Sequence, residues 1–299
     1  MSEPTDYWLI RLLPRPVTPF PQESETSYLH RLAEANGIRP QRALAQSYWL
    51  ESRQSYIDRL SVASGQPPES LMRAIPNLGQ KSMTNHPQRP DFFPGVPCRL
   101  CVARRTGSYD RNRQVTAWRS RFHDQVCLRH RLWIGQPAGH YLIQADLSDL
   151  PDVLHAQQRH HRLLHEHGPA VLSKCYEYGA ALWTELAGRS FRQEDTARRV
   201  RALPLLQYGS NRNHRRLIAH YPETVTTTAL YASPYWRSLA LAEGRGFHQL
   251  VDEFNNRLQV ELIPRFDGTM WFDNLLKGTA DRVERSLTAY AERAATRRT

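Results

Sequence analysis

Four soft side chains within 33 residues constrain this chain more than any other feature: Cys98-Arg-Leu-Cys101, then 25 residues, then Cys127-Leu-Arg-His130. A tight Cys-x-x-Cys turn directs two sulfurs at one point, and a second pair from a distant segment completes a tetrahedral shell. Three thiolates and one imidazole fill every position around a zinc ion. No position remains for an activated water, so the spacing predicts one structural Zn2+ held by Cys98, Cys101, Cys127 and His130. The alternative is that these residues merely fill a core, although three of the chain's four cysteines then fall in one short window by accident. The fourth, Cys175, sits among helical apolar residues and reads as inert. Cysteines in metal spacing fit a reducing cytoplasm better than a disulfide scaffold. The opening Met-Ser-Glu-Pro-Thr-Asp lacks the basic start and apolar core of a signal peptide, and no run approaches the ~18 apolar residues of a membrane span.

Charge narrows the class of partner. The net charge is +11 and is unevenly placed. Residues 98–131 carry nine Arg against two acids, and residues 189–216 carry eight Arg against two acids, which leaves the remainder slightly negative. Uncompensated charge in two blocks points to an anionic partner, nucleic acid above all. With only three lysines (Lys81, Lys174 and Lys277), Arg enrichment also has a compositional explanation, but composition does not account for the clustering.

Along the chain, Pro14, Pro16, Pro19 and Pro21 forbid a helix and predict an extended arm laid on a neighbouring surface. Ser24 then caps a helix with Tyr28, Leu29, Leu32 and Ala33 on one face and a stop at Asn36-Gly37. Pro40 opens a second helix with Leu44, Tyr48 and Trp49 inward. A third carries Tyr56, Ile57 and Leu60 and closes at Gly65. Pro67-Pro68-Glu69 opens a fourth bearing Leu71, Met72 and Ile75. Short helices with short joints are the grammar of a helix-turn-helix bundle, and equally of helical domains that never touch DNA. Residues 76–97 read as a Pro-rich linker. Val115–Phe122 has strand character, with Trp118 and Phe122 available to cover the ion, and Leu132-Trp133-Ile134 and Tyr141-Leu142-Ile143 read as further short strands.

At this point the chain resembles a known family. Pro19-Phe-Pro-Gln-Glu23-Ser24-Glu-Thr-Ser27-Tyr28-Leu29-His-Arg31-Leu32-Ala33-Glu-Ala-Asn36-Gly37 resembles the opening motif of the TniQ family. Cys98-x-x-Cys101 and Val126-Cys127-x-x-His130, with Trp118-Arg119 between them, resemble its zinc motif. The resemblance covers roughly residues 10–135. Arg99 departs from it, standing where the family usually has Pro. What the resemblance implies, and spacing or charge does not, is a transposition accessory protein of the TniQ/TnsD type. Such a protein recognises an insertion target, either DNA or a DNA-bound guide-RNA effector, and recruits an AAA+ ATPase and a transposase. A homodimer is compatible with it.

Beyond residue 150 the resemblance thins. Residues 151–167 predict a helix with five histidines (His155, His160, His161, His165 and His167), read as a solvated polar face. His161 and His165 are the one pair spaced to share a metal. A buried helix follows over 169–187. In the second basic block Arg198, Arg199 and Arg201 share a predicted helix, and Arg212, Arg215 and Arg216 stand where another begins. Together with Arg119 and Arg121 these are the candidate nucleic-acid contacts, against the alternative of a solvated or protein-binding face. Further helices are expected around Phe247–Phe254 and from about Thr279.

The expected fold is therefore mainly α: a Pro-rich arm (1–22), a helix-turn-helix-like domain (23–78), a zinc-finger module with short β-strands (79–150) and a C-terminal helical, basic domain (151–299). No Walker A, His-Glu-x-x-His or Gly-x-Ser-x-Gly sequence is present, so ATP chemistry would belong to a partner and the chain is not read as an enzyme. Two other readings stay open. One is a zinc-stabilised DNA-binding transcriptional regulator that needs no ATPase. The other is a metal-dependent nuclease whose carboxylates only the fold would gather.

Overall fold

A computed structural model describes residues 12–39, 53–78, 92–107, 115–120, 122–135, 144–187, 194–203, 212–242, 245–258 and 269–296. The expected helix after Pro40, the strand at Tyr141–Ile143, and Arg121 lie outside these residues. Among them are eleven helices and four short strands, so the chain is mainly α with a small β component. Contacts divide it into two compact units, residues 1–130 with 134–144, and residues 131–133 with 145–299.

The first unit begins with α1 (Glu25–Ala35), α2 (Arg53–Ser64) and α3 (Pro68–Ala74). The Ser24 hydroxyl caps α1 by accepting the Ser27 amide, and the helix ends at Asn36 as its sequence requires. Tyr28, Leu29 and Leu32 of α1 pack with Tyr56, Ile57 and Leu60 of α2 and with Leu71, Ile75 and Leu78 around α3. Met72, expected among these, is exposed because the short α3 turns it outward. The proline-rich segment lies over this bundle. Leu13 is buried in its core, its amide donates to Ala63 O (2.9 Å), and Asn36 exchanges two hydrogen bonds with the backbone of Arg15.

β1 (Phe92–Gly95) pairs antiparallel with β2 (Ala117–Ser120), Gly95 opposite Ala117. The end of the segment read as linker is thus a strand. Pro94 is tolerated because a two-stranded sheet has free edges on which no amide is needed. Between them runs α4 (Arg99–Thr106), and the two-residue strands β3 (Val126–Cys127) and β4 (Leu132–Trp133) bracket the last ligand turn.

The second unit contains α5 (Pro151–Ala187), α6 (Glu194–Ala202), α7 (Arg212–Ala219), α8 (Tyr221–Ala232), α9 (Pro234–Leu241), α10 (Arg245–Leu258) and α11 (Thr269–Thr296). α5 is two helices meeting at Gly168, whose φ of 76° and ψ of 162° suit only a residue without Cβ, with Pro169 opening the second half. α5 packs on α8, and Gly179 permits the approach: a Cβ there would lie 3.2 Å from the Thr228 amide nitrogen. Cys175 is buried and donates to Tyr231 O, as an inert core thiol should. α11 starts ten residues before the Thr279 expected from the sequence.

Candidate metal centre

The first ligand pair is built by a helix start rather than by a free turn. Cys98 is the residue preceding α4 and Cys101 lies in its first turn, so both sulfurs sit where unpaired amides favour negative charge. Gln144 fastens this start: its side chain accepts from the Arg99 amide (2.9 Å) and donates to Pro97 O (2.8 Å). A proline at 99 would fit the first helical position but would remove that amide. The second pair is closed by a turn in which the His130 amide donates to Cys127 O (3.2 Å).

The four ligand atoms lie within 4.8 Å of one another. His130 Nδ1 is 3.4 Å from Cys98 Sγ, 3.3 Å from Cys101 Sγ and 3.7 Å from Cys127 Sγ, and the Cys101 and Cys127 sulfurs are 3.7 Å apart. Tetrahedral bonds to zinc imply S···S edges of about 3.8 Å and S···N edges of about 3.6 Å. The donor set therefore fits a tetrahedral soft or borderline cation. The sulfurs also compete for charge. The contact with Cys98 holds the Cys127 thiol down to about 5, while that contact and burial push Cys98 up, and burial followed by the charge on Cys127 raises Cys101. A divalent ion removes this conflict by compensating the sulfurs together.

Arg119 holds the ligand-bearing segments in register. Only 7% exposed, its guanidinium donates from Nη1 to Val96 O (2.9 Å) and Ile134 O (2.6 Å), and from Nη2 to Asp124 O. Those carbonyls lie just before Cys98, just before Cys127 and just after His130. Arg119 is thus a positioning residue for the centre and is not disposed to touch nucleic acid. Beneath it, Phe20, Val96, Val102, Val115 and Ala117 form a small core against which Cys101 packs.

A family model described as TniQ matches residues 14–133. The chain carries a TniQ domain. No curated protein and no solved structure matches the chain significantly. The match spans most of the arm, helices α1 to α4, the four candidate ligands and Arg119, and it ends before α5. A TniQ domain fits a transposition-associated protein.

The opening motif of this TniQ domain is a buried polar hub. The Glu23 carboxylate, 0% exposed, accepts from the Phe20 amide, the Ser27 hydroxyl and both Nε and Nη2 of Arg31. Ser27 Oγ accepts in turn from the Thr116 amide (3.0 Å), the Ser24 amide donates to Thr116 O (2.7 Å) and the Trp118 amide donates to Gln22 O (2.6 Å). Motif residues from the arm, α1 and β2 are therefore one hydrogen-bonded assembly. The spacing of Glu23, Ser27 and Arg31, one helical turn apart, was the available signal for it.

The C-terminal arginines fare differently from one another. Arg199, 4% exposed, donates to Asp152, to Ala219 O (2.6 Å) and to both oxygens of Glu223 (2.7 and 2.9 Å). It is a core ion-pair residue linking α5, α6 and α8, which corrects its assignment as a nucleic-acid contact. Burial opposes ionisation of Asp152, yet Arg199 and Arg198 hold its carboxyl below the usual range, whereas burial outweighs Arg199 at Glu223 and raises that carboxyl. Arg198 is exposed but paired with Asp152 and Asp195. Arg215 is half-buried, with Nη2 on Val200 O. Arg201 and Arg216 are exposed, and Arg212 begins α7. Nor are the five histidines one solvated face. His155, His161 and His165 are exposed, but His160 is fully buried, with Nδ1 3.0 Å from the Tyr221 hydroxyl.

Proposed function

We propose that this chain is a transposition target selector. It recognises an insertion target, either DNA or a DNA-bound guide-RNA effector, and recruits an AAA+ ATPase that delivers the site to a transposase. The observation that carries this reading is the TniQ match over residues 14–133, in which all four candidate ligands fall. In this reading the ion is one structural Zn2+. Its shell is filled by protein, so it would supply no Lewis-acid or nucleophile chemistry and the chain would act without catalysis of its own. The helices around α1 to α3 serve as a helix-turn-helix-like docking domain. The exposed Arg201 and Arg216, with Arg198, Arg212 and Arg215, form a nucleic-acid-facing part of a separate C-terminal domain. Among the described residues no helix is long and apolar enough to cross a membrane.

Affinity purification from the native host, with nuclease treatment and mass spectrometry, tests this. An AAA+ ATPase retained after nuclease is the expected result, and co-purified effector subunits would name the targeting route. Recovery of DNA before nuclease and of no ATPase after it would favour a lone DNA-binding regulator.

A further inference from the structure

With Arg119 turned inward, the cationic groups near the metal centre that face outward are concentrated on one helix and one turn. α4 grows directly out of Cys98, so its side chains are carried rigidly by the metal knuckle. Its inner face is Val102 and Ala103, both buried. At 100° per residue, Arg104 and Arg105 flank Cys101 on the opposite, exposed face. Arg129, exposed in the turn between Cys127 and His130, lies close enough for its charge to act on Cys101. Arg105 is also set in place, its guanidinium 5.6 Å from the centre of the Phe20 ring. Arg104, Arg105 and Arg129 form no ion pair among the described residues. Segment 92–107 contains no acid, and Asp124 is turned inward, accepting from the Ser120 amide.

Two kinds of partner take a cationic face. A protein docking site needs an apolar or aromatic centre inside its polar rim. The only large hydrophobic side chain exposed on α4 is Leu100. Guanidinium groups without a greasy centre or carboxylates are what a regular polyanion requires. We propose that Arg104, Arg105 and Arg129 form a phosphodiester-binding face on the metal knuckle, by which the chain grips a nucleic-acid backbone without reading bases. This rests on the target-selector reading and specifies one of its contacts. The chemistry is shared by duplex DNA and by structured RNA, and the test separates them.

The test uses the full-length chain and measures affinity against salt for a random-sequence DNA duplex and for an RNA hairpin. Each lost phosphate contact lowers the slope of log K against log[salt] by about 0.9 on DNA and about 0.7 on a single strand. The Arg104→Gln/Arg105→Gln/Arg129→Gln variant is expected to lose about 2 to 3 of slope on whichever polymer is the ligand. Bound metal should be unchanged. Since position 129 lies between two ligands, Arg104→Gln/Arg105→Gln is measured alongside and should lose about 1.4 to 1.8. Arg104→Lys/Arg105→Lys should keep the wild-type slope. Unchanged slopes in the glutamine variants on both polymers would overturn the face and leave the target-selector reading intact. A wild-type chain with no salt-dependent affinity for either polymer, yet retaining the ATPase, would also overturn it. Failure of the parent reading shows separately, as loss of the ATPase.

Discussion

The Glu23 carboxylate grips Arg31 through both oxygens, accepting from Nε at 2.8 Å and from Nη2 at 2.6 Å, with the acid fully buried and the base nearly so. A pair of this kind contributes less through attraction than through the penalty of breaking it, because the partner left behind is a buried, uncompensated charge. Arg31→Ala should therefore cost roughly 3–5 kcal/mol of unfolding free energy by denaturant titration. Because Ser27 connects Glu23 to Thr116, amide exchange in residues 115–120 should accelerate in the same variant. A loss confined to α1 would mean that the hub does not carry the arm-to-sheet connection.

Arg119→Lys tests the clamp on the metal centre. Lysine keeps the charge but lacks the planar fork that reaches three carbonyls, so at least one of Val96, Asp124 and Ile134 loses its donor. Faster metal loss to a chelator is expected, with the salt dependence of nucleic-acid binding unchanged. If the salt slope fell and metal retention did not, Arg119 would be a contact residue after all.

Arg99→Pro tests the fastening of the first ligand turn. Proline suits the first helical position, so the helix should survive, but Gln144 Oε1 loses its donor. A loss of about 1 kcal/mol is expected from the missing hydrogen bond. Added to Gln144→Ala, the same substitution should cost almost nothing further, since the two changes remove one interaction.

His220 gives the second unit a pH dependence. Burial first, then the charges of Arg199 and Arg216, hold its imidazole down to about 4, and its Nδ1 accepts from Trp183 Nε1 at 3.0 Å. A neutral ring in the fold and a more basic one in the unfolded chain mean that the unfolded state binds more protons between about pH 4 and 6.5. Stability is therefore full above about pH 6.5 and is lost as pH falls through that window. His220→Gln should flatten this part of the stability profile, and an equally steep profile in the variant would remove His220 from the account.

Sequence and structure agree where a local rule has one outcome. Ser24, Asn36 and the apolar face between them define α1, and ligand spacing picks out the metal group unaided. They part where the same residue type has two fates. Counting Arg in a basic block cannot tell Arg119 and Arg199, bound to internal carbonyls and acids, from Arg104 or Arg216, which face water. That choice is made by tertiary contacts 15 to 47 residues away in sequence. α4 is not legible in the sequence because its eight residues carry three Arg and one Thr around a two-residue apolar face, too little for a helical period to register. β1 was hidden by Pro94, and His160 by its exposed neighbours on the same helix.

The claim on which the rest depends is that the four-ligand cluster binds one structural ion and that the knuckle folds around it. Native mass spectrometry of the intact chain, paired with hydrogen exchange, tests this most directly. The account predicts one zinc per chain, its loss in Cys98→Ser and in Cys127→Ser, and rapid exchange across residues 92–135 when it is lost. A wild-type chain that is metal-free and still protected across that segment would contradict it.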